Sequence, residues 1–167
     1  MRAITEREIR ASFINCSKGE AQRLSLPRDF AELPWEDLDF LGWRDQGAPE
    51  RGYLLAERGE KGLVGIALRA ASGAGRGFTA RSICSLCKTT RTGGGVALLT
   101  ARRAGESGRN GNTVGQYICS DLACPLYVRG RKISAGTLLD ETLDTPARIA
   151  RLHQGLDAFL ARITAAG

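Results

Sequence analysis

Two short stretches decide the fold of this chain: Cys84-Ser85-Leu86-Cys87 and Cys119-Ser120-Asp121-Leu122-Ala123-Cys124. They place cysteines as C-x2-C and C-x4-C, with 31 residues between the pairs. One C-x-x-C pair fits a redox motif, a metal knuckle or chance, but two pairs at this separation are much more specific. Tetrahedral zinc binds four thiolates at about 2.3 Å. The spacing therefore predicts one structural zinc ion (Zn2+) held by Cys84, Cys87, Cys119 and Cys124, with a redox disulfide and buried packing as the alternatives.

The residues around the cysteines offer little for catalysis. Four sulfur ligands leave no open coordination position for water, so a catalytic zinc is disfavoured. The single histidine, His153, borders an apolar helical stripe away from any promising nucleophile, and we expect a structural role for it. Cys16 has no second ligand nearby and is expected to be a small buried apolar residue. The sequence thus favours a binding protein over an enzyme, with no small-molecule substrate.

The pattern between the cysteine pairs predicts a treble-clef zinc finger over residues 81–132. Residues 96–103 and 114–118 are expected to form two strands of a hairpin. The glycine-rich stretch 104–112 between them is expected to be a basic loop. A helix is expected to begin at or just after Cys119. The order of knuckle, hairpin and helix, with the last two ligands on the helix, is that of a treble clef.

The segments before the finger predict short helices and a second hairpin. In the N-terminal segment 1–50, capping boxes at Thr5 and Ser17 predict two short helices. The aromatic residues of 30–43 are expected to belong to the core. Apolar runs at 53–57 and 63–69 flank a polar turn and predict a β-hairpin.

The C-terminal stretch 144–164 predicts an amphipathic helix that lies across the sheet. Asp144 and Pro146 are typical of a helix start, and apolar residues then recur at spacings of three and four. Residues 72–77 and 130–140 are expected to be a loop and a linker. We therefore predict a single α+β domain over 1–167, with an antiparallel sheet, a treble-clef zinc finger with four cysteine ligands, short N-terminal helices and this C-terminal helix.

The composition excludes several classes of protein. The chain of 167 residues is 43% hydrophobic and 25% charged, which is ordinary for a soluble globular domain. Its longest uncharged apolar stretches, 63–68 and 96–101, are far shorter than the roughly 20 residues of a membrane span. Charged residues among the first ten leave no signal-peptide core. We expect a cytoplasmic protein without a membrane partner.

The positive charge is concentrated in the finger. Residues 81–132 hold nine basic and two acidic residues, a charge of +7 within a chain of +6. This excess is either a solvated basic face or a contact surface for an acidic partner, and charge alone fits RNA as well as an acidic protein. The candidate partner-binding residues are apolar, aromatic or basic: Leu86, Arg91, Arg102, Arg103, Arg109, Tyr117, Tyr127, Arg129, Arg131 and Lys132.

The motifs also resemble a known family. Cys-Ser-Leu-Cys at 84–87 with Tyr-Ile-Cys-Ser-Asp-Leu-Ala-Cys at 117–124 resembles the elongation factor G-binding, or FBP (FusB-type), treble-clef zinc-finger family. Residues 12–21 and 35–45 resemble its short single-domain bacterial members. The resemblance implies that the four cysteines bind zinc. It also implies that the partner is elongation factor G or the ribosome, and that the protein modulates release of the factor in a fusidic-acid-resistance-like role.

Overall fold

The computed structural model describes residues 1–59, 62–70, 81–133 and 141–165. In chain order its strands are β1 (Leu41–Arg44), β2 (Arg51–Glu57), β3 (Leu63–Ala70), β4 (Ser82–Ile83), β5 (Thr90–Arg91), β6 (Val96–Arg102) and β7 (Thr113–Cys119). Five of them form one antiparallel sheet in the order β1-β2-β3-β6-β7, and β4 pairs with β5 in a separate two-stranded sheet. The expected loop at 72–77, the linker beyond 133 and residues 60–61 lie outside the described residues.

The helices are α1 (Glu6–Ala11), α2 (Lys18–Arg23), α3 (Gly105–Arg109), α4 (Cys124–Val128) and α5 (Thr145–Thr164), with 3-10 turns at Phe30–Glu32 and Trp35–Asp37. Both predicted capping boxes are confirmed, because Thr5 and Ser17 each cap a helix through reciprocal bonds with a glutamate. No helix among the described residues is long and apolar enough to cross a membrane.

The α+β class is confirmed. The amphipathic helix α5 packs on one face of the sheet and contributes to the larger of two apolar clusters. The buried residues of α5 are Leu152, Leu156, Phe159, Leu160 and Ile163. They belong to one apolar cluster with the inward residues of β2, β3, β6 and β7 and with the buried cysteines. The predicted hairpin is also confirmed, with Leu54 opposite Ile66 in the register of β2 and β3.

The N-terminal segment covers part of the opposite face of the sheet. Ile9 of α1 and Leu24 after α2 pack with Trp43, Tyr53 and Leu55 in a second apolar cluster. Among the aromatic residues of 30–43, Phe40 and Trp43 are buried as expected, whereas Phe30 and Trp35 are half-buried. Strand β1 was not predicted, because its four residues are too few to show an alternation of apolar and polar side chains.

Two predictions within the finger are wrong. The last helix begins at Cys124, so Cys119 lies on β7 and not on a helix. Leu122 explains this, since its left-handed backbone (φ 57°) cannot continue a helix from Cys119. The stretch 104–112 contains the short helix α3 in place of an open loop. Its Gly108 has no room for a side chain, because a Cβ there would overlap the backbone carbonyl of Arg103.

Buried Asn15 joins β3 to β6 where the two strands diverge. Their register covers two residue pairs, Arg69 with Thr100 and Ala70 with Leu99. Beyond these pairs, Asn15 Nδ2 donates to the carbonyls of Ala67 and Arg102, both at 3.0 Å. Its Oδ1 accepts from the Ala67 amide at 2.7 Å. One side chain thus satisfies backbone groups that would otherwise lack partners.

We expect Asn15→Ala to lower the free energy of unfolding by about 2–4 kcal/mol, because it removes three hydrogen bonds and leaves buried backbone groups unsatisfied. Asn112→Ala is the matched control, since it removes an exposed amide that donates to Ser107 Oγ, and it should cost less than about 1 kcal/mol. Urea unfolding of both variants measures the difference. Equal effects would contradict the bridging role of Asn15.

Asp39 connects the N-terminal segment to both C-terminal helices. Its side chain is 5% exposed and forms an ion pair with Arg129 at the end of α4. His153 on α5 places Nε2 at 2.8 Å from Asp39 Oδ1, so the expected structural role of His153 is a polar contact rather than core packing. Burial alone raises the pKa of Asp39, but the hydrogen bonds from Arg129 and His153 outweigh burial and lower it.

A lowered folded-state pKa makes the contribution of Asp39 dependent on pH. Unfolded aspartate titrates near 3.9, so the contribution is present above about pH 4 and is lost as pH falls through the lower folded value. Asp39→Asn should therefore be less stable than the wild type near pH 7, and the gap should narrow towards about pH 3. Urea unfolding at both pH values tests this, with exposed Asp29→Asn as the control that should stay close to the wild type.

Candidate metal centre and finger surface

The four predicted metal ligands converge from separate elements. Cys84 follows β4, Cys87 precedes β5, Cys119 ends β7, and Cys124 begins α4. Their Sγ atoms all lie within 4.8 Å of one another. Each cysteine is at most 2% exposed. The structure thus brings together all four cysteines that the spacing selected.

Two tight turns aim the sulfur atoms at one point. In the first, the Lys88 amide donates to the Cys84 carbonyl at 2.9 Å, and Lys88 adopts a left-handed backbone with φ 59°. In the second, the Leu122 amide donates to the Cys119 carbonyl at 2.9 Å. The first turn spans Cys84 and Cys87, and the second lies between Cys119 and Cys124. Each turn reverses the chain, which brings the two sulfur atoms of a pair close together.

The distances between the sulfur atoms fit a four-coordinate metal. Cys84 Sγ lies 3.7 Å from Cys124 Sγ, and Cys87 Sγ lies 3.6 Å from Cys119 Sγ. A disulfide requires about 2.05 Å, and all five cysteines are unpaired. Four thiolates at about 2.3 Å from a tetrahedral zinc ion lie roughly 3.8 Å apart. Donor type and spacing therefore fit a closed zinc site.

The metal centre is part of the main core. Leu86, inside the knuckle, is fully buried. A Cβ on Gly155 of α5 would lie 3.3 Å from both the Cα and the carbonyl oxygen of Leu86, so only a glycine allows the helix to approach this closely without displacement. The Ser85 amide also donates to the Tyr117 carbonyl of β7 at 2.8 Å. The knuckle is thus held by α5 on one side and by β7 on another.

The structure corrects two predicted partner-binding residues, Leu86 and Tyr127. Leu86 packs in the core, as described above, and Tyr127 is only 7% exposed. The Tyr127 hydroxyl donates to Asp121 Oδ2 at 2.7 Å, and its ring lies under the guanidinium of Arg91 at 4.3 Å. Burial, followed by the bond to Asp121, raises the pKa of Tyr127. Neither side chain offers a surface on which a partner can dock.

The predicted cations near the metal are engaged in ion pairs. Arg91 and Lys132 lie 3.4 Å and 2.9 Å from the carboxylate of Asp121. Burial alone raises the pKa of Asp121, but hydrogen bonds from Tyr127 and Lys132 and the nearby cations lower it. Arg131 pairs with Asp37 at 3.2 Å, and Arg129 pairs with Asp39. The net positive charge of this end of the finger is therefore smaller than the sequence indicated.

The other predicted arginines lie at the far end of the β6–β7 hairpin. The strand pairing begins with Val96 opposite Cys119 beside the metal centre and ends with Arg102 opposite Thr113. Seven residues of strand span about 20 Å. Arg102, Arg103 and Arg109 thus form a separate group that the fold does not bring to the metal centre.

Ile83 is an exposed apolar residue on the finger that was not among the predicted contact residues. It is 56% exposed, and Tyr117, which was predicted, is 43% exposed. Ile83 ends β4 and directly precedes the buried Cys84. Because neighbouring side chains of an extended segment point to opposite sides, the predicted burial of Cys84 indicates that Ile83 points outward.

Comparisons with known proteins agree with this architecture. A family model described as "FBP C-terminal treble-clef zinc-finger" matches residues 8–163. The structure is similar to that of the fusidic acid resistance protein FusC, with a TM-score of 0.56 and 15% sequence identity. The match covers 87% of this chain and 54% of FusC, so the chain spans about half the length of FusC. At this identity the likeness establishes a shared fold. No curated protein sequence matches the chain.

We expect Cys119→Ser to lose stoichiometric zinc and to disorder the finger. Structural zinc contributes about 10–16 kcal/mol in small fingers, which is comparable with a domain's net stability of about 5–15 kcal/mol. Elemental analysis and near-ultraviolet circular dichroism measure the two effects. Cys16→Ser is the matched control and should retain full metal. Zinc content equal to the wild type in Cys119→Ser would contradict the assignment.

Proposed function

The chain belongs to the FBP C-terminal treble-clef zinc-finger family, and on this basis we propose that it is a cytoplasmic protein of the translation apparatus that binds elongation factor G. The family match and the likeness to FusC, a fusidic acid resistance protein, support the proposal. The protein acts by binding, without a chemical step. By binding two states of the factor with different affinities, it shifts their balance and so changes release of the factor from the ribosome.

We assign one structural zinc ion to the cysteine cluster. Its donor set is complete with four sulfur atoms, so it takes no part in a reaction. The ion fixes the knuckle, the β6–β7 hairpin and α4 relative to one another. Its contribution to binding is thus indirect, through the surface that these elements present.

The exposed apolar pair of the finger, Ile83 and Tyr117, carries the proposal for a protein partner. These two residues belong to adjoining elements, since the knuckle residue Ser85 donates to the carbonyl of Tyr117. Buried apolar and aromatic side chains supply most of the binding energy of protein interfaces, while rim charges mainly change the association rate. Arg103 and Arg109 at the hairpin tip are suited to such a rim role.

Direct binding of RNA by the metal end of the finger has weaker support. Stacking on bases requires accessible aromatic rings, and of the two predicted tyrosines only Tyr117 is exposed, because Tyr127 is buried. Contacts with phosphates require available cations, but Arg91, Arg129, Arg131 and Lys132 are paired with carboxylates. An apolar contact with elongation factor G would instead use Ile83 and Tyr117, which are exposed at this end of the finger.

We expect the double variant Ile83→Ser/Tyr117→Ser to weaken the one-to-one complex with purified elongation factor G by about tenfold or more, because it removes the apolar centre of the interface. Isothermal titration calorimetry on zinc-loaded protein measures the change. Ile133→Ser is the control, because Ile133 is 90% exposed but lies outside the knuckle and the hairpin. A folded double variant that binds like the wild type would refute this surface, and no complex with wild-type protein would refute the proposed partner.

A further inference from the structure

A groove lined by arginines crosses the sheet on the face opposite to α5. It has a volume of about 320 Å³. An adjoining cavity of about 110 Å³ shares Cys16, Glu20, Ala67 and Arg69 with it and extends to Thr113 on β7. We use the name arginine groove for both parts together. Four arginines line it: Arg23, Arg51, Arg69 and Arg102.

The groove follows from the divergence of β3 and β6. The segment around Asn15 and Cys16 is inserted where these strands separate, and it forms part of the lining. Helix α2 supplies Glu20 and Arg23 from the side. The groove therefore runs across β2, β3, β6 and β7, which gives it an elongated shape.

The strand register places its arginines next to one another. Arg51 lies directly opposite Arg69, and Arg69 lies opposite Thr100, two residues before Arg102. Side chains directly opposite are about 5 Å apart at Cβ, and diagonal neighbours are about 7–8 Å apart. Like charges in such positions repel each other. An anion bound between them removes this repulsion.

Three of the four groove arginines lack the close carboxylate partners that the cations of the metal end have. Among residues 1–59, 62–70, 81–133 and 141–165, no ion pair forms with Arg23, Arg69 or Arg102, whereas Arg51 lies 3.8 Å from Glu50. The carboxylate of Glu20 accepts hydrogen bonds from the amide and hydroxyl of Ser17, both at 2.8 Å. These bonds, and to a smaller extent the charges of Arg102 and Arg69, lower the pKa of Glu20, so it serves chiefly as a helix cap. The arginine groove carries four cations against this one lining carboxylate.

The chemistry of the lining favours phosphate over an acidic protein surface. The planar guanidinium group of arginine can donate two parallel hydrogen bonds to the oxygens of one phosphate, a bidentate geometry. Protein interfaces need an exposed apolar anchor, but the exposed large apolar residues of the described chain, Ile83, Tyr117, Ile133 and Leu143, do not line the groove. Tyr53 is the only aromatic residue among the described residues that line the groove, and it is buried, so these residues offer no ring on which a base can stack.

We propose that the arginine groove binds the phosphodiester backbone of RNA, without regard to base sequence, at a site separate from the metal centre. The elongated shape suits a strand that contributes successive phosphates. The choice of RNA over DNA rests on the proposed function, which places the protein at the ribosome. The site itself does not depend on elongation factor G.

The test measures binding of a short fluorescein-labelled RNA duplex to the zinc-loaded, full-length protein over a range of salt concentrations. Arg69→Gln/Arg102→Gln should weaken binding by about tenfold or more and should make the log–log salt slope less negative by about 1 to 2. Both side chains are exposed, so the variant is expected to melt like the wild type. Arg103→Gln/Arg109→Gln is the matched control, since it removes the same charge outside the groove, and it should leave affinity and slope unchanged.

Four outcomes would overturn the inference. The first three are a folded groove variant that binds RNA like the wild type, an equal loss in the control variant, and competition by polyglutamate as strong as that by unlabelled RNA at equal charge. The third result would point to an acidic protein. The fourth is competition by inorganic pyrophosphate as strong as that by unlabelled RNA at equal charge, which would assign the groove to a free phosphate ligand. The groove variant should bind elongation factor G normally, so failure here leaves the proposed partner untouched.

Discussion

The meeting of four thiols at one buried point is the constraint on which the rest of the structure depends. The two cysteine pairs lie far apart in the chain, yet their sulfur atoms lie within 4.8 Å of one another. Without a metal, ionised thiolates at this buried point would repel each other and would be costly among apolar side chains. The knuckle also packs against α5 through Leu86 and Gly155. Convergence of the four cysteines and closure of the main core therefore depend on the same packing contacts.

Two groups of basic residues in this fold differ in how far carboxylates neutralise them. Around the metal centre, carboxylates such as Asp39 and Asp121 neutralise the cations and lock α4 and the N-terminal segment in place. On the opposite side of the sheet, arginines line a groove with little compensation. A paired cation gains little from a further anion, while an unpaired one gains more. The formal charge of a segment is thus a poor guide to where an anionic partner binds.

The sequence predicted those features whose signals are local. The close cysteine pairs, the capping boxes at Thr5 and Ser17, the apolar runs of β2 and β3 and the apolar period of α5 are each local sequence signals. The burial of Leu86 was not predictable in this way, since it depends on a glycine of α5 almost 70 residues later. The arginine groove was also missed, because Arg23, Arg51, Arg69 and Arg102 are scattered in sequence and only the strand register joins them.

The hydrogen bond from the knuckle to β7 has a consequence for the behaviour of the chain in the cell. β7 is an outer strand of the sheet, and the Tyr117 carbonyl that accepts from Ser85 points away from β6. The knuckle therefore shields part of a seven-residue strand edge. An exposed strand edge is a template on which a second chain can add its own strand. Any change that unfolds the knuckle, such as loss of one cysteine ligand, would therefore open this edge to pairing with a second chain.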